Sequence, residues 1–193
     1  MTTASEDDGV TAVVLDYLPR GRSDDDRPRY RRSPVALALG TERFDLYELR
    51  LEDDADVGIS DTVVLGGADP TPGVEETSRI DYDDLTGGAR SELEYAVEEI
   101  VDADEGRFVD FYNDAQPITL RLHQLNLLPG IGKKLRNNIL DARKRKPFAD
   151  FADLTERVSG LHHPKEVLVE RIIEEIQDED LKYRTFVRPE TDQ

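Results

Sequence analysis

Two glycines flank one apolar residue in Leu127-Leu128-Pro129-Gly130-Ile131-Gly132-Lys133-Lys134-Leu135, and two lysines follow at once. These residue types at this spacing suit an anion. Gly130 can take the positive φ that ends a helix. Ile131 points inward and pins the turn to a core. Gly132 has no Cβ, so a phosphate can approach the backbone. There the unpaired N–H groups of the next helix start and the helix dipole favour negative charge. Lys133 and Lys134 add charge at the same place. Two other uses of such glycines fail on spacing. A P-loop needs a glycine five residues before Gly132, where Leu127 stands, and a dinucleotide fingerprint needs a preceding strand and a third glycine, where Leu135 stands.

The elements that must hold this turn are predicted as a short helix over 119–126 and a longer one over 133–145. Helix, Gly-apolar-Gly turn and basic helix together resemble the helix-hairpin-helix family of nucleic-acid-binding motifs, which grip the backbone without reading sequence. Arg121, Arg136, Arg143 and Lys144 join Gly130, Ile131, Gly132, Lys133 and Lys134 as candidate contacts. A degenerate copy follows. Asp150 is placed to cap a helix over 151–158, residues 158–163 replace the turn, and Pro164 starts a helix with Leu168, Ile172, Ile173 and Ile176 on one side. The second turn lacks Gly-apolar-Gly and its helix carries Glu166, Glu170, Glu174 and Glu175, so it reads as scaffold. The two hairpins are expected to share one core.

Charge supports this placement. The 193 residues carry 25 Lys and Arg against 43 Asp and Glu, a net charge of −18. Arg outnumbers Lys 19 to 6, and there is no Cys, which excludes disulfides, thiol catalysis and Cys-based zinc sites. Acids spread along such a chain fit a high-salt cytoplasm, where carboxylates keep the surface hydrated and salt screens their repulsion. Against that background the charge reverses twice. Residues 118–146 hold eight bases and one acid, with four of the six lysines, leaving −25 on the remainder. Residues 19–32 hold six Arg against three Asp. In that second segment Tyr30 lies between Arg29 and Arg31, so it could stack on a base while Arg27, Arg29, Arg31 and Arg32 meet phosphates. A solvated linker, favoured by Asp24–Asp26, stays open beside that reading.

The fold class predicted is α+β: a small N-terminal β-barrel, OB-like, followed by an α-helical helix-hairpin-helix domain. Strands are expected over 10–18, 34–39, 44–51 and 62–65, with a weaker fifth over 79–82 and a bulge near Tyr47, where apolar alternation slips. The barrel spans 10–82, a helical connector 83–115 and the hairpin domain 116–182, with tails at 1–9 and 183–193. The connector helix begins after Tyr82 with Asp83 or Asp84 as cap. Phe108, Phe111 and Tyr112 read as core. In a barrel of this type the loop after the first strand contacts the bound strand.

Catalysis is not expected. His123 reads as a packed or surface side chain, and His162 and His163 show no third metal ligand. The acid clusters at 24–26, 53–56 and 81–84 could hold a divalent ion in a structure-specific nuclease, but a chain with 43 acids produces such clusters by composition. No cofactor or metal is implied. The polar, acidic start is unlike a secretory signal and no apolar run approaches a membrane span, so the chain is expected to be cytoplasmic.

Residues 10–188 also resemble an archaeal family called domain of unknown function 655 (DUF655). The likeness rests on Asp81-Tyr82-Asp83-Asp84-Leu85-Thr86, on Leu120-Arg121-Leu122-His123-Gln124-Leu125 running into 127–133, on Pro147-Phe148 and on Phe186-Val187. The resemblance implies an N-terminal β-barrel beside a helix-hairpin-helix region, nucleic-acid or nucleotide binding with RNA favoured, no enzyme activity, and a link to translation with ribosomal components as possible partners. A protein–protein adaptor whose hairpins serve packing is the remaining alternative.

Overall fold

A computed structural model describes residues 9–187; residues 1–8 of the tail expected over 1–9, and 188–193 of that expected over 183–193, lie outside the described residues. Over the described residues the chain is α+β, with five antiparallel strands curling into a half-barrel and five helices. It divides into two compact units, one ending at Ala96 and one beginning at Val97.

In the first unit, β1 (Val10–Leu18), β2 (Val35–Gly40), β3 (Leu46–Leu51), β4 (Thr62–Leu65) and β5 (Val74–Ile80) form one sheet in the order β4-β1-β2-β3-β5. β2 is buried at all six positions, as its unbroken apolar run requires of a central strand. One face packs Ala12, Val14, Ala36, Ala38, Leu49, Leu51 and Val63 together. A bulge lets the register pass from Val14 opposite Ala38 to Asp16 opposite Leu37.

Three local expectations are corrected here. No bulge lies at Tyr47 itself: Phe44 takes a left-handed φ of 57° in the preceding turn, the register runs unshifted from Leu46 to Arg50, and the irregularity falls between Arg50 and Leu51, where Leu51 pairs with Val74. The fifth strand runs over Val74–Ile80, and Tyr82 begins a 3-10 turn. This edge strand is exposed at its five central positions, so it carries no apolar alternation to read. α1 (Gly87–Ala103) starts later than expected and is capped by Thr86, whose Oγ1 accepts from Ala89 N–H at 3.1 Å. Asp81 and Asp84 instead cap each other across the 3-10 turn. Thr86 also donates to the Asp16 carboxylate of β1. A Cβ on Gly88 would lie 3.0 Å from that carboxylate, which explains a glycine inside a helix.

The second unit contains α2 (Glu105–Asp114), α3 (Lys133–Arg145), α4 (Phe151–Arg157) and α5 (Pro164–Gln177). Phe108 and Tyr112 are buried and Tyr112 donates to the Pro164 carbonyl at 2.7 Å, so the aromatics are core. Asn113 donates to the Phe148 carbonyl and accepts from the Phe148 N–H, fixing the chain between α3 and α4. Arg157 donates to the carbonyls of Ala142 and Lys146 and so satisfies the end of α3. Asp150 caps α4 as expected, accepting from Asp153 N–H at 2.7 Å.

Glu175, grouped with the acidic face by sequence, is fully buried. Its carboxylate accepts from the backbone N–H groups of Thr185, Phe186 and Val187 and from Arg171 Nε. Phe186 packs on Phe108 and Phe111. The segment 185–187 is therefore tied to α5 by one side chain. Glu175→Ala is expected to destabilise the chain by about 3–5 kcal/mol in chemical denaturation, because it strands three amides and leaves the buried Arg171 with Glu174 and the Tyr183 carbonyl but no acceptor for its Nε. A loss below about 1 kcal/mol would contradict this role as an anchor.

Candidate nucleic-acid interface

The first helix expected before the glycine turn does not form over 119–126. Thr119 Oγ1 accepts from the N–H groups of Arg121 and Leu122, and Ile118 and Thr119 both donate to the Leu122 carbonyl. The backbone is thus committed to a reverse turn, with Leu120 fully exposed at its tip. Pro117 bridges to His123, and only a single 3-10 turn, Gln124–Leu127, precedes the glycines.

The glycine turn itself has the expected form. Gly130 has φ 77°, Ile131 is buried and its N–H donates to the Leu128 carbonyl at 3.2 Å. Gly132 is the N-cap of α3, and a Cβ built there meets nothing within 4 Å. The first helical bond runs from Arg136 N–H to Gly132 O. The amides of Lys133, Lys134 and Leu135 therefore have no helical partner. No side chain caps them, and no acid lies in the first turn. Lys133 and Lys134 are exposed and, among the described residues, make no ion pair. The result is an open, uncapped and positively charged helix start.

The second turn repeats this backbone. Gly160 has φ 93°, Leu161 is buried, and its N–H donates to the Val158 carbonyl at 3.3 Å. It departs at the next positions, where His162 replaces Gly132 and α5 opens with Pro164 and Glu166. Its first turn holds the carboxylate of Glu166, and its one lysine, Lys165, is paired with Asp102 at 2.9 Å.

The remaining cations separate into bound and unbound. Arg136 donates to Asn126 Oδ1 at 3.0 Å, while Asn126 donates to the Ile131 carbonyl; Arg136 braces the turn. Arg143 donates to the Tyr112 carbonyl, and burial lowers its pKa, so it belongs to the packing of α3 on α2. Lys144 lies 3.9 Å from Asp141 at the surface, a separation of small energetic weight. Arg121 is exposed in the reverse turn.

In the first unit, residues 19–32 are folded. Arg27 chelates Asp25, with contacts of 2.7, 3.0 and 3.1 Å, and holds that carboxyl down to about 2. Arg32 donates to the carbonyls of Arg27 and Arg22. Arg29, Tyr30 and Arg31 form an exposed 3-10 turn. Tyr30 is 82% exposed, with the Arg31 guanidinium 5.7 Å from its ring. Sequence reasoning missed Arg22, which pairs with Glu48 and donates to the Asp84 carbonyl at 2.8 Å. It also missed Asn126. No spacing rule announces either, because their partners are set by the fold.

Members of two of the acid clusters have other partners: Asp25 is chelated, Asp81 and Asp84 form a cap, and Asp83 lies 3.9 Å from Arg90. Among the described residues no three His, Asp or Glu come together as metal ligands, and no helix is long and apolar enough to cross a membrane.

The chain is similar to known proteins in sequence and in fold. The family described as "Protein of unknown function (DUF655)" matches residues 8–188. The chain belongs to the DUF655 family. The uncharacterized protein MJ0038 of Methanocaldococcus jannaschii is 38% identical over 178 residues, covering 92% of this chain and 79% of that protein. The crystal structure of Af1531 from Archaeoglobus fulgidus, another DUF655 chain, superposes with a TM-score of 0.85 at 40% identity, covering 93% of this chain and 99% of that one.

One buried group of this DUF655 chain reports on the turn. His123 is 5% exposed, and its Nδ1 accepts from Leu125 N–H at 3.1 Å, which needs the neutral ring. Burial first, then the Arg143 and Arg136 charges, lowers its pKa below the ordinary 6.5. A histidine depressed in the fold stabilises above its unfolded pKa and loses that contribution as pH falls below it. Thermal stability is expected to drop more between about pH 7.5 and about pH 5.5 in the parent than in His123→Asn, whose amide oxygen can accept the same N–H. Equal drops would show that His123 does not set this pH dependence.

Proposed function

We propose that this DUF655 protein is a non-enzymatic nucleic-acid-binding protein, RNA-directed and linked to translation, which grips phosphates through a helix-hairpin-helix turn. The observation that carries the reading is the start of α3: a positive-φ Gly130, an open Gly132, uncapped amides and two unpaired lysines in a chain of net charge −18. An amide cluster with lysines and nothing to neutralise them is suited to a phosphate. Contacts of this kind position a strand without reading it. The half-barrel is compatible with an OB-like fold, with Arg29, Tyr30 and Arg31 adding a stacking and phosphate contact. Ultraviolet crosslinking in cells, followed by sequencing of the bound nucleic acid, tests the reading. Enrichment of RNA, ribosomal RNA above all, supports it; recovery of no nucleic acid refutes it.

The acid-rich surface is read as an adaptation to salt. The thermal midpoint is expected to rise between low and molar KCl, since the −25 outside residues 118–146 repels itself less as the Debye length shrinks. An equal midpoint in both would overturn that reading.

A further inference from the structure

The second charge reversal builds a cleft that extends beyond the contact proposed for Arg29, Tyr30 and Arg31. In the first unit, beside the end of β1, Arg20, Arg22, Arg29 and Arg32 line one open cleft with Thr86 and a single carboxylate, Asp24. The acids nearby are already engaged: Asp25 by Arg27 and Glu48 by Arg22. Two of the guanidinium groups are fixed before any ligand arrives. Arg22 is held by Glu48 and the Asp84 carbonyl, and Arg32 by the carbonyls of Arg27 and Arg22. The other two, Arg20 and Arg29, have no hydrogen-bond or ion-pair partner among the described residues. A chain with 43 acids neutralises this cleft only in part, through Glu48 on Arg22 and Asp24 in the lining. Four cations meet two acids, Asp24 in the lining and Glu48 on Arg22, and the excess of two positive charges in one concavity repels itself unless an anion joins it.

We infer that this cleft binds a terminal phosphomonoester, through Arg20 and Arg29 as free donors and Arg22 and Arg32 as a preset frame. The charge argues for a monoester over an internal phosphodiester. A phosphomonoester carries roughly −1.5 to −2 at neutral pH and offers three acceptor oxygens, which several forked guanidinium groups can share. A backbone diester carries one charge and leaves half of the excess of two unmatched. The phosphate can be the end of a nucleic-acid strand or a free nucleoside monophosphate. The inference rests on the proposed function only in the first case.

The test uses the full chain at one fixed, moderate salt. The probes are one oligoribonucleotide with hydroxyl ends, the same strand with a 5′- or a 3′-phosphate, and a nucleoside 5′-monophosphate beside its nucleoside. A terminal phosphate is expected to tighten binding by about tenfold or more. Arg20→Ala with Arg29→Ala should erase that gain without unfolding the chain, since neither side chain supports the fold, and Arg20→Ala alone should cut the gain while leaving the hydroxyl-ended strand's affinity nearly unchanged. Lys133→Ala with Lys134→Ala should weaken all the strands by a common factor and keep the gain. If strands do not bind but the monophosphate binds over its nucleoside, and Arg20→Ala with Arg29→Ala abolishes this, the cleft stands and the strand-gripping reading falls. If strands bind and their ends make no difference, while the monophosphate still depends on Arg20 and Arg29, the ligand is the free nucleotide. The inference is overturned if no phosphorylated probe exceeds its unphosphorylated counterpart, or if the gain survives loss of both arginines.

Discussion

Gly132→Val is expected to remove most nucleic-acid binding while the protein stays folded. The position has an extended ψ with φ −82°, which any residue adopts, and a Cβ there meets no protein atom within 4 Å. The cost to the fold is limited to a poorer helix cap, about 1 kcal/mol. The cost to binding is large, because the branched side chain fills the space through which a phosphate must reach the amides of α3. Gly130 makes the contrast. Its φ of 77° penalises any L side chain by about 1–2 kcal/mol, so Gly130→Val should lower the thermal midpoint as well. Binding and melting measured on the two variants separate access from strain. If Gly132→Val binds like the parent at the same salt, the turn does not receive the phosphate and the adaptor alternative gains.

Lys133→Ala with Lys134→Ala should weaken binding by a similar factor for every sequence tested. Each ammonium acts as a point charge on phosphate and reads no base edge. The slope of log affinity against log salt should fall by roughly 1.4–1.8, taking about 0.7–0.9 for each phosphate left without its lysine. Stability should hold, since neither lysine has an intramolecular partner among the described residues and both are exposed. Arg136→Ala and Arg143→Ala differ in kind. Their guanidinium groups brace Asn126 and the Tyr112 carbonyl, so a binding loss in either would come with a loss of stability. Binding lost for one sequence and retained for others would show that the turn reads bases, and the phosphate mechanism would be wrong.

Much of this was legible in the residues alone. α3 spans Lys133–Arg145, as the spacing predicts, and α5 opens at Pro164. Four of the strands lie where β-branched apolar runs placed them. Periodicity reports burial, and these elements are buried on a definite face. The glycine turn was legible for a related reason: a positive φ, an inward apolar residue and a missing Cβ each demand one residue type, so the types disclose the geometry. The two charge reversals were visible because composition is a property of the chain, whatever its fold.

The tertiary structure decided what spacing does not encode. β5 is an edge strand with an acidic, exposed centre, and its pairing with β3 leaves no alternation in the residues. The segment before the glycine turn has apolar residues at helical intervals, yet Thr119 and the Leu122 carbonyl take its hydrogen bonds into a reverse turn. Local competition for amides overrides periodicity there. Glu175 looked like one more acid on a solvated face and is instead the buried anchor of residues 185–187. Among the arginines, identical residue types have opposite roles. Arg27 is spent on Asp25, while Arg20, twelve residues before Arg32, joins it in one cleft. Whether a cation is free for a ligand depends on which carboxylate or carbonyl the fold brings within about 3 Å of it, and that partner is chosen by packing between segments far apart in the chain.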